Sequence, residues 1–357
     1  MSATATARRA SPALTQFVVA SRYMPVYMAI VLLVAVAAIW APATLHAPSL
    51  RAIAPFGTFL AIAALGQMLV IMTGGIDLSV PGIFTLAAVL TVGVGDASDA
   101  RIWTAIGVAL AAAALVGLVN GILIGGLGLN ALIVTLAVGQ IVNGIAFRYY
   151  TGVAIQTPVP EGLASWTSTR FLGVTRTFWV GVALTAILIV VFRFTTFGRR
   201  FQAVGANPIA SWIAGLRVNL NQVAAYVIAA LFYGVAAILL AAFLETPSIN
   251  LGVPYLLGPI AAVVIGGASL TGGLASPLST WAGAFFLAGL NQMMRVMGLS
   301  TALQFVVFGV VIVGGMLVSG DRIIRGVEQV LRERKRRGDG PRATSTSGDA
   351  TTERSTA

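Results

Sequence analysis

The chain has 357 residues, 58% of them hydrophobic and 9% charged, with a formal net charge of +11. A soluble domain carries about 25% charged residues, so an apolar excess of this size cannot all be core, and the bilayer must be its solvent. The positive charge would suggest nucleic acid in a soluble protein; here the arginines sit in tails and one loop, which the positive-inside rule explains without such a partner.

Residues 1–22 are polar, with Arg8, Arg9 and Arg22, and are expected to be a cytoplasmic tail. Charge-free runs then locate the spans of a transmembrane domain over 23–320. The first is 26–45, the second lies in 52–76, and the third, 78–95, is short and broken by Pro81 and Gly82. The run 102–147 is too long for one helix and is divided by Gly125, Gly126, Gly128 and Asn130. A polar loop, 149–176, precedes the sixth span at 177–192. After the polar stretch 197–218 come a seventh span at 219–244, a run 246–294 divided by the glycine-rich 266–277, and a last span at 301–319. The expected fold is an all-α integral membrane protein, a polytopic bundle of about ten segments (8–10) with broken or re-entrant helices. Residues 321–357 are basic, then rich in Ser, Thr, Gly and Asp, and are expected to be a disordered cytoplasmic tail.

The arginines agree with an even number of spans and both termini inside. That arrangement puts both tails and Arg193, Arg199, Arg200 and Arg217 in the cytoplasm, and leaves Arg51, Arg101, Arg148, Arg170, Arg176 and Arg295 outside. The stretch 197–218 is the longest polar interruption in the middle of the chain. Within it Asn207 suits an N-cap, Pro208 the first helical position and Gly215 the left-handed residue after a helix. A short helix over 208–214 is therefore expected, too short to span, held at the cytoplasmic surface and built to touch another protein.

Two stretches echo each other: Gly74-Gly75-Ile76-Asp77-Leu78-Ser79 matches Gly266-Gly267-Ala268-Ser269-Leu270-Thr271, and Gly128-Leu129-Asn130-Ala131-Leu132 resembles Gly298-Leu299-Ser300-Thr301-Ala302-Leu303. Two related halves are expected, as in transporters with broken helices beside the substrate path. Asp77 is the one acid inside the apolar part of the first half, so it is a candidate for the path; the plainer reading is that Asp77 or Ser79 caps the helix through Pro81. Gln67, Asn120, Gln140, Asn143, Asn291, Gln292 and Gln304 also lie inside spans. Gln222, Tyr226 and Tyr233 fall on one helical face. Neutral amides and aromatics suit an uncharged, polyhydroxylated cargo, and serve equally as hydrogen-bonding glue between helices. Gly117, Gly121 and Gly125 read as a close helix-packing face.

Cysteine is absent, His46 is the only histidine, and the only lysine, Lys335, follows Arg334. Disulfides, thiolate metal sites, two-histidine zinc helices and a Gly-Lys phosphate loop are therefore excluded, and no catalytic motif stands out.

Gly74-Gly75-Ile76-Asp77-Leu78-Ser79-Val80, Phe197-Gly198-Arg199-Arg200 with Ala203-Val204-Gly205-Ala206-Asn207-Pro208, and Gly266-Gly267-Ala268-Ser269-Leu270 with Gly272-Gly273 occur in this order. Over roughly residues 50–320 the chain thereby resembles the permease subunits of bacterial ABC sugar importers, of the ribose-permease type within the branched-chain amino acid/sugar permease family. The resemblance implies an inner-membrane subunit that is not itself an enzyme and binds no cofactor, ATP and magnesium being held by separate cytoplasmic ATPase subunits. It also implies a second permease copy, identical or not, and a periplasmic sugar-binding protein. The stretch Gly205 to Gly215 would dock on the ATPase, making Arg199, Gly205, Asn207, Pro208, Ser211, Trp212 and Gly215 the coupling residues; Ser211-Trp212 stands where the family usually has a small residue and an arginine. Other readings stay open at this level: a permease for branched-chain amino acids or a furanosyl signal, an ion-driven secondary transporter, or a non-transporting scaffold.

Overall fold

The structure, a computed structural model, describes residues 12–153 and 158–319. It is helical apart from a hairpin, Arg170–Phe171 paired antiparallel with Val174–Thr175. The helices are α1 (Pro12–Trp40), α2 (Ala47–Met72), α3 (Val80–Gly95), α4 (Ile102–Gly121), α5 (Ala131–Val153), α6 (Glu161–Ser168) and α7 (Arg176–Phe194), followed by α8 (Thr196–Ala206), α9 (Pro208–Ile213), α10 (Val218–Leu244), α11 (Gly258–Ile265), α12 (Pro277–Val296) and α13 (Thr301–Ser319). Among the described residues six stretches are long and apolar enough to cross a membrane: Tyr23–Trp40, Ala47–Met72, Asp99–Gly126, Ala131–Thr151, Arg176–Phe194 and Val218–Leu244. Val80–Gly95, Val253–Ile265 and Ala302–Gly315 are shorter apolar helices. With α12 these occupy the places of the expected segments, and the chain is an all-α, multi-pass membrane protein.

Some boundaries differ from the expectation. α1 already begins at Pro12, α5 runs on to Val153, and the polar loop after it holds α6 and the hairpin. The stretch 197–218 is not a lone short helix: α8 precedes α9, capped by Thr195, whose Oγ1 accepts from Gly198 N–H at 3.1 Å. Its buried Gly198, Phe201, Val204 and Gly205 recur with helical spacing, an amphipathic face hidden from a composition-based view by its arginines. The C-terminal tail expected after 320 lies outside the described residues.

The two halves are visible in the packing. Exchanging α2–α5 with α10–α13 carries the main packings over: α10 packs on α4 as α2 packs on α12, α10 on α3 as α2 on α11, and α3 on α5 as α11 on α13. α2 and α10 also pack on each other, and do so closely. A Cβ on Gly66 would lie 2.8 Å from the Ala229 carbonyl oxygen and 3.0 Å from Phe232 Cβ, so only glycine allows this crossing. In this arrangement the turns at Gly128 and Gly298 are equivalent, with φ of 72° and 68°. The other echo is a local likeness and not an equivalence. Gly74 and Gly267 both end helices in the left-handed conformation, with the same pair of bonds: Gly74 N–H to Ile71 O and Gly75 N–H to Val70 O, against Gly267 N–H to Val264 O and Ala268 N–H to Val263 O. The match is thus offset by one residue from the sequence alignment. By helix order the partner of the connection 73–79 is 245–257, which packs on the first turns of α3: a Cβ on Gly252 would strike the Pro81 carbonyl, and Tyr255 stacks on Phe84 with ring centroids 4.3 Å apart.

Gly117, Gly121 and Gly125 are the packing face expected of them. A Cβ on each would lie 2.6 to 2.9 Å from atoms of α10 or its first residues, Ala230 and Tyr226, Val223, and Asn219 and Gln222. Gly121→Val therefore overpacks this seam and should cost about 1–3 kcal/mol, lowering the melting temperature in detergent, whereas Gly107→Ala, facing open space, should leave it unchanged.

Candidate functional site

Two places in this fold carry the polar chemistry. The first is the connection 73–79, where α2 stops at Met72 and the chain runs unwound into the bundle before α3 begins. Its depth is set by α5: a Cβ on Gly139 would lie 2.9 Å from Ser79 Cα, and Gly139 sits about 12 Å along that helix from Ala131. Backbone without a helix at such depth has to find other partners for its N–H and C=O groups. For Asp77 N–H and C=O, Leu78 N–H and Ser79 N–H the partner is a side chain. With its amide turned so that both ends are satisfied, Gln67 accepts from Asp77 N–H at 3.1 Å and donates to the Asp77 carbonyl at 3.2 Å and to the Tyr233 hydroxyl at 2.8 Å. Leu78 N–H donates to Thr135 Oγ1 at 3.0 Å. Asp77 Oδ1 accepts from Ser79 N–H at 2.8 Å and from Ser79 Oγ at 2.5 Å, and Asn120 Nδ2 donates to that same Oγ at 2.9 Å. Gln67, Asp77, Ser79, Asn120, Thr135 and Tyr233 are all fully buried. Asp77 Oδ2, Asn120 Oδ1 and the Tyr226 hydroxyl have no hydrogen-bond partner among the described residues, which makes this the least satisfied polar point of the core.

The structure thus brings Gln67, Asp77 and Asn120 together and gives Asp77 a capping-type role: it ties down the residue that starts α3. The other amides are elsewhere. Gln140 is exposed and Asn143 half-buried on α5. Asn291 lines a cavity at the far end of the bundle, Gln292 Oε1 accepts from Arg295 at 3.2 and 2.7 Å, and Gln304 Nε2 donates to the Leu299 carbonyl at 2.8 Å. Ser79, expected as a possible cap, and Tyr233 belong to the cluster too, as does Thr135, which was not among the candidates. Gln222, Tyr226 and Tyr233 share a helical face, a signal for Tyr233; Thr135 meets Leu78 only through the fold.

The second place is α9. Asn207 Oδ1 accepts from Ala210 N–H at 2.9 Å, Pro208 opens the helix, and Gly215 at φ 80° closes it with bonds from Gly215 N–H to Trp212 O and Leu216 N–H to Ser211 O. Ser211 faces inward, while Ile209, Trp212 and Ile213 are 73, 72 and 74% exposed. Arg193, Arg199 and Arg200 before α9 in the chain and Arg217 after it are all exposed. Gly205 is not part of this outer face. It is buried beneath it, with no room for a Cβ against the Met72 carbonyl, which also accepts from Gly273 N–H at 2.9 Å. α8 is therefore seated directly on the end of α2, from which the unwound connection departs.

The profile of the family described as "Branched-chain amino acid transport system / permease component" matches residues 49–316. The ribose import permease protein RbsC of Escherichia coli strain K12 is 33% identical over 267 residues, covering 73% of this chain and 82% of that protein. The L-arabinose ABC transporter permease protein AraH of Azospirillum brasilense is 32% identical over 252 residues, covering 71% and 74%. The RbsC of Haemophilus influenzae is 27% identical over 294 residues, covering 82% and 91%. No solved structure matches the chain.

Replacing Gln67 by the similarly sized methionine leaves the Asp77 N–H and carbonyl without their partner. At about 1–3 kcal/mol for each orphaned group, Gln67→Met should melt well below the wild type when followed by intrinsic fluorescence, and equal melting would refute the pairing.

Proposed function

The chain belongs to the branched-chain amino acid transport system / permease component family, and from that premise we propose that it is the transmembrane permease of an ATP-driven importer for a monosaccharide in the bacterial inner membrane. It is a transport subunit, with ATP and magnesium handled by partner ATPases. The observation that carries this reading is α9: three exposed apolar side chains on a capped helix, flanked in the chain by exposed arginines and joined to α8, which is seated through Gly205 on the end of a core span. Apolar anchors of this size on a small rigid knob suit a groove in another protein, and the exposed arginines on either side of it in the chain support a cytoplasmic position for the knob, with both chain termini on that side. A turn of the ATPases would move α9, α8 and the end of α2 together, and with them the unwound connection that Gln67, Thr135 and Asn120 hold.

The second permease copy is supported by α5. Gly139 packs inward on Ser79, and Gln140, the next residue, is exposed at the same depth. An amide has no partner in lipid, so this face is better matched to another subunit or to a water-filled path between two copies. The relatives named for ribose and L-arabinose favour a sugar, delivered by a periplasmic binding protein, over the amino acids in the family's description.

Trp212→Ala removes the largest anchor without touching the caps of α9. It should leave melting unchanged and weaken association with the ATPase by about 2 kcal/mol, roughly thirtyfold, in a co-purification titration. Undiminished association would overturn the docking assignment.

A further inference from the structure

At the end of the bundle opposite α9 lies a cavity of about 370 Å³, roofed by the connection 245–257 and floored by α2, α12 and α13. Its polar lining is Ser248, Asn250, Asn291 and Arg295, and no carboxylate lines it. Asn250 and Asn291 make no side-chain hydrogen bond among the described residues. Arg295 is different: Gln292 Oε1 binds its Nε and Nη2 and so fixes the plane of the guanidinium, leaving its remaining N–H groups for a ligand. The apolar wall includes Phe56 and Tyr255, the latter held in place by its stack on Phe84.

We propose that this cavity is a binding site for the arriving cargo, in which Arg295, Asn250 and Asn291 grip adjacent hydroxyls of an uncharged sugar while its C–H face rests on the aromatic wall. The inference rests on the sugar-permease reading above. The lining decides the ligand class. A cation is repelled by Arg295 and finds no carboxylate, and an apolar molecule leaves two amides and a guanidinium unpaired. Hydroxyls both donate and accept, as the two amides do, and they accept from the guanidinium in charge-assisted bonds. The connection that roofs the site is itself unusual in backbone: Glu245 has φ 63°, Thr246 N–H bonds back to Leu244 O at 2.7 Å, and the Glu245 carbonyl is held by Val159 N–H at 2.9 Å. The roof is thus pinned at its start and shaped around the cavity instead of continuing α10.

The chain contains no cysteine, so a single introduced thiol reports one place. Asn250→Cys in membrane vesicles is labelled with a maleimide in the presence of D-ribose, L-arabinose or the charged acid D-ribonate, with Leu172→Cys, 75% exposed on the hairpin, as reference. One of the neutral sugars should slow labelling at 250 and not at 172, and the protection should be lost when Arg295→Ala is added, or Asn291→Leu if that variant fails to fold. Protection by ribonate alone, or protection that survives both substitutions, overturns the assignment. Uptake by the reconstituted complex separates the two claims. ATP-driven sugar uptake with no protection by any sugar overturns this site and leaves the permease reading standing; no sugar uptake and no protection overturns both.

Discussion

An unwound length of backbone deep in an apolar bundle must have a partner for every N–H and carbonyl, and the rest of this structure is arranged around meeting that demand at Asp77 and Leu78. One unmet group costs several kcal/mol in such surroundings, whereas each side-chain bond between membrane helices returns only about 0.6 kcal/mol on average. The cluster is therefore better understood as avoiding a large penalty than as supplying net stability. Gln67 on α2, Thr135 on α5, Asn120 on α4 and Tyr233 on α10 each approach from a different helix, so the connection is fixed only when all four are in register. The glycine at position 66 makes this possible, because it lets α10 come close enough to bring Tyr233 to Gln67.

The same connection is where the two ends of the proposed transport cycle meet. On one side Met72 carries Gly205 of α8 and, through its carbonyl, the glycine loop at Gly273. On the other, Pro81 carries Gly252 of the connection that roofs the far cavity. Neither contact has room for a Cβ at the glycine, so a displacement of α9 has no slack to be absorbed at Gly205 before it reaches the end of α2. In the proposed importer this short chain of backbone contacts is the route from the ATPase to the sugar path.

Much of this was legible in the residues. Asn207, Pro208 and Gly215 define α9 by local capping chemistry alone, and the four-residue spacing of Gly117, Gly121 and Gly125 identifies a packing seam without knowledge of its partner. The runs free of charge place the helical segments because composition alone decides solubility in lipid. Where the fold departs from expectation, the missing information is non-local. α8 was hidden because Arg199 and Arg200 on its outer face read as loop. The repeat was paired at the wrong connection because a glycine in the left-handed conformation closes α2, α9, α11 and α12 alike, at Gly74, Gly215, Gly267 and Gly298, so the local motif cannot say which connections are equivalent. Only the exchange of neighbours between α2–α5 and α10–α13 does. Similarly, nothing adjacent in the chain tells Gln67, which clamps Asp77, from Gln140, which faces outward.

The central claim is that α9 and the connection at Asp77 move as one body. Hydrogen–deuterium exchange over residues 72–80, measured on the permease assembled with its ATPase during nucleotide turnover and again with Trp212→Ala, addresses it most directly. The account predicts that the N–H groups of Asp77, Leu78 and Ser79 exchange faster during turnover in the wild type and stay protected in the variant. Continued sugar uptake with exchange at 72–80 unaffected by turnover would contradict it.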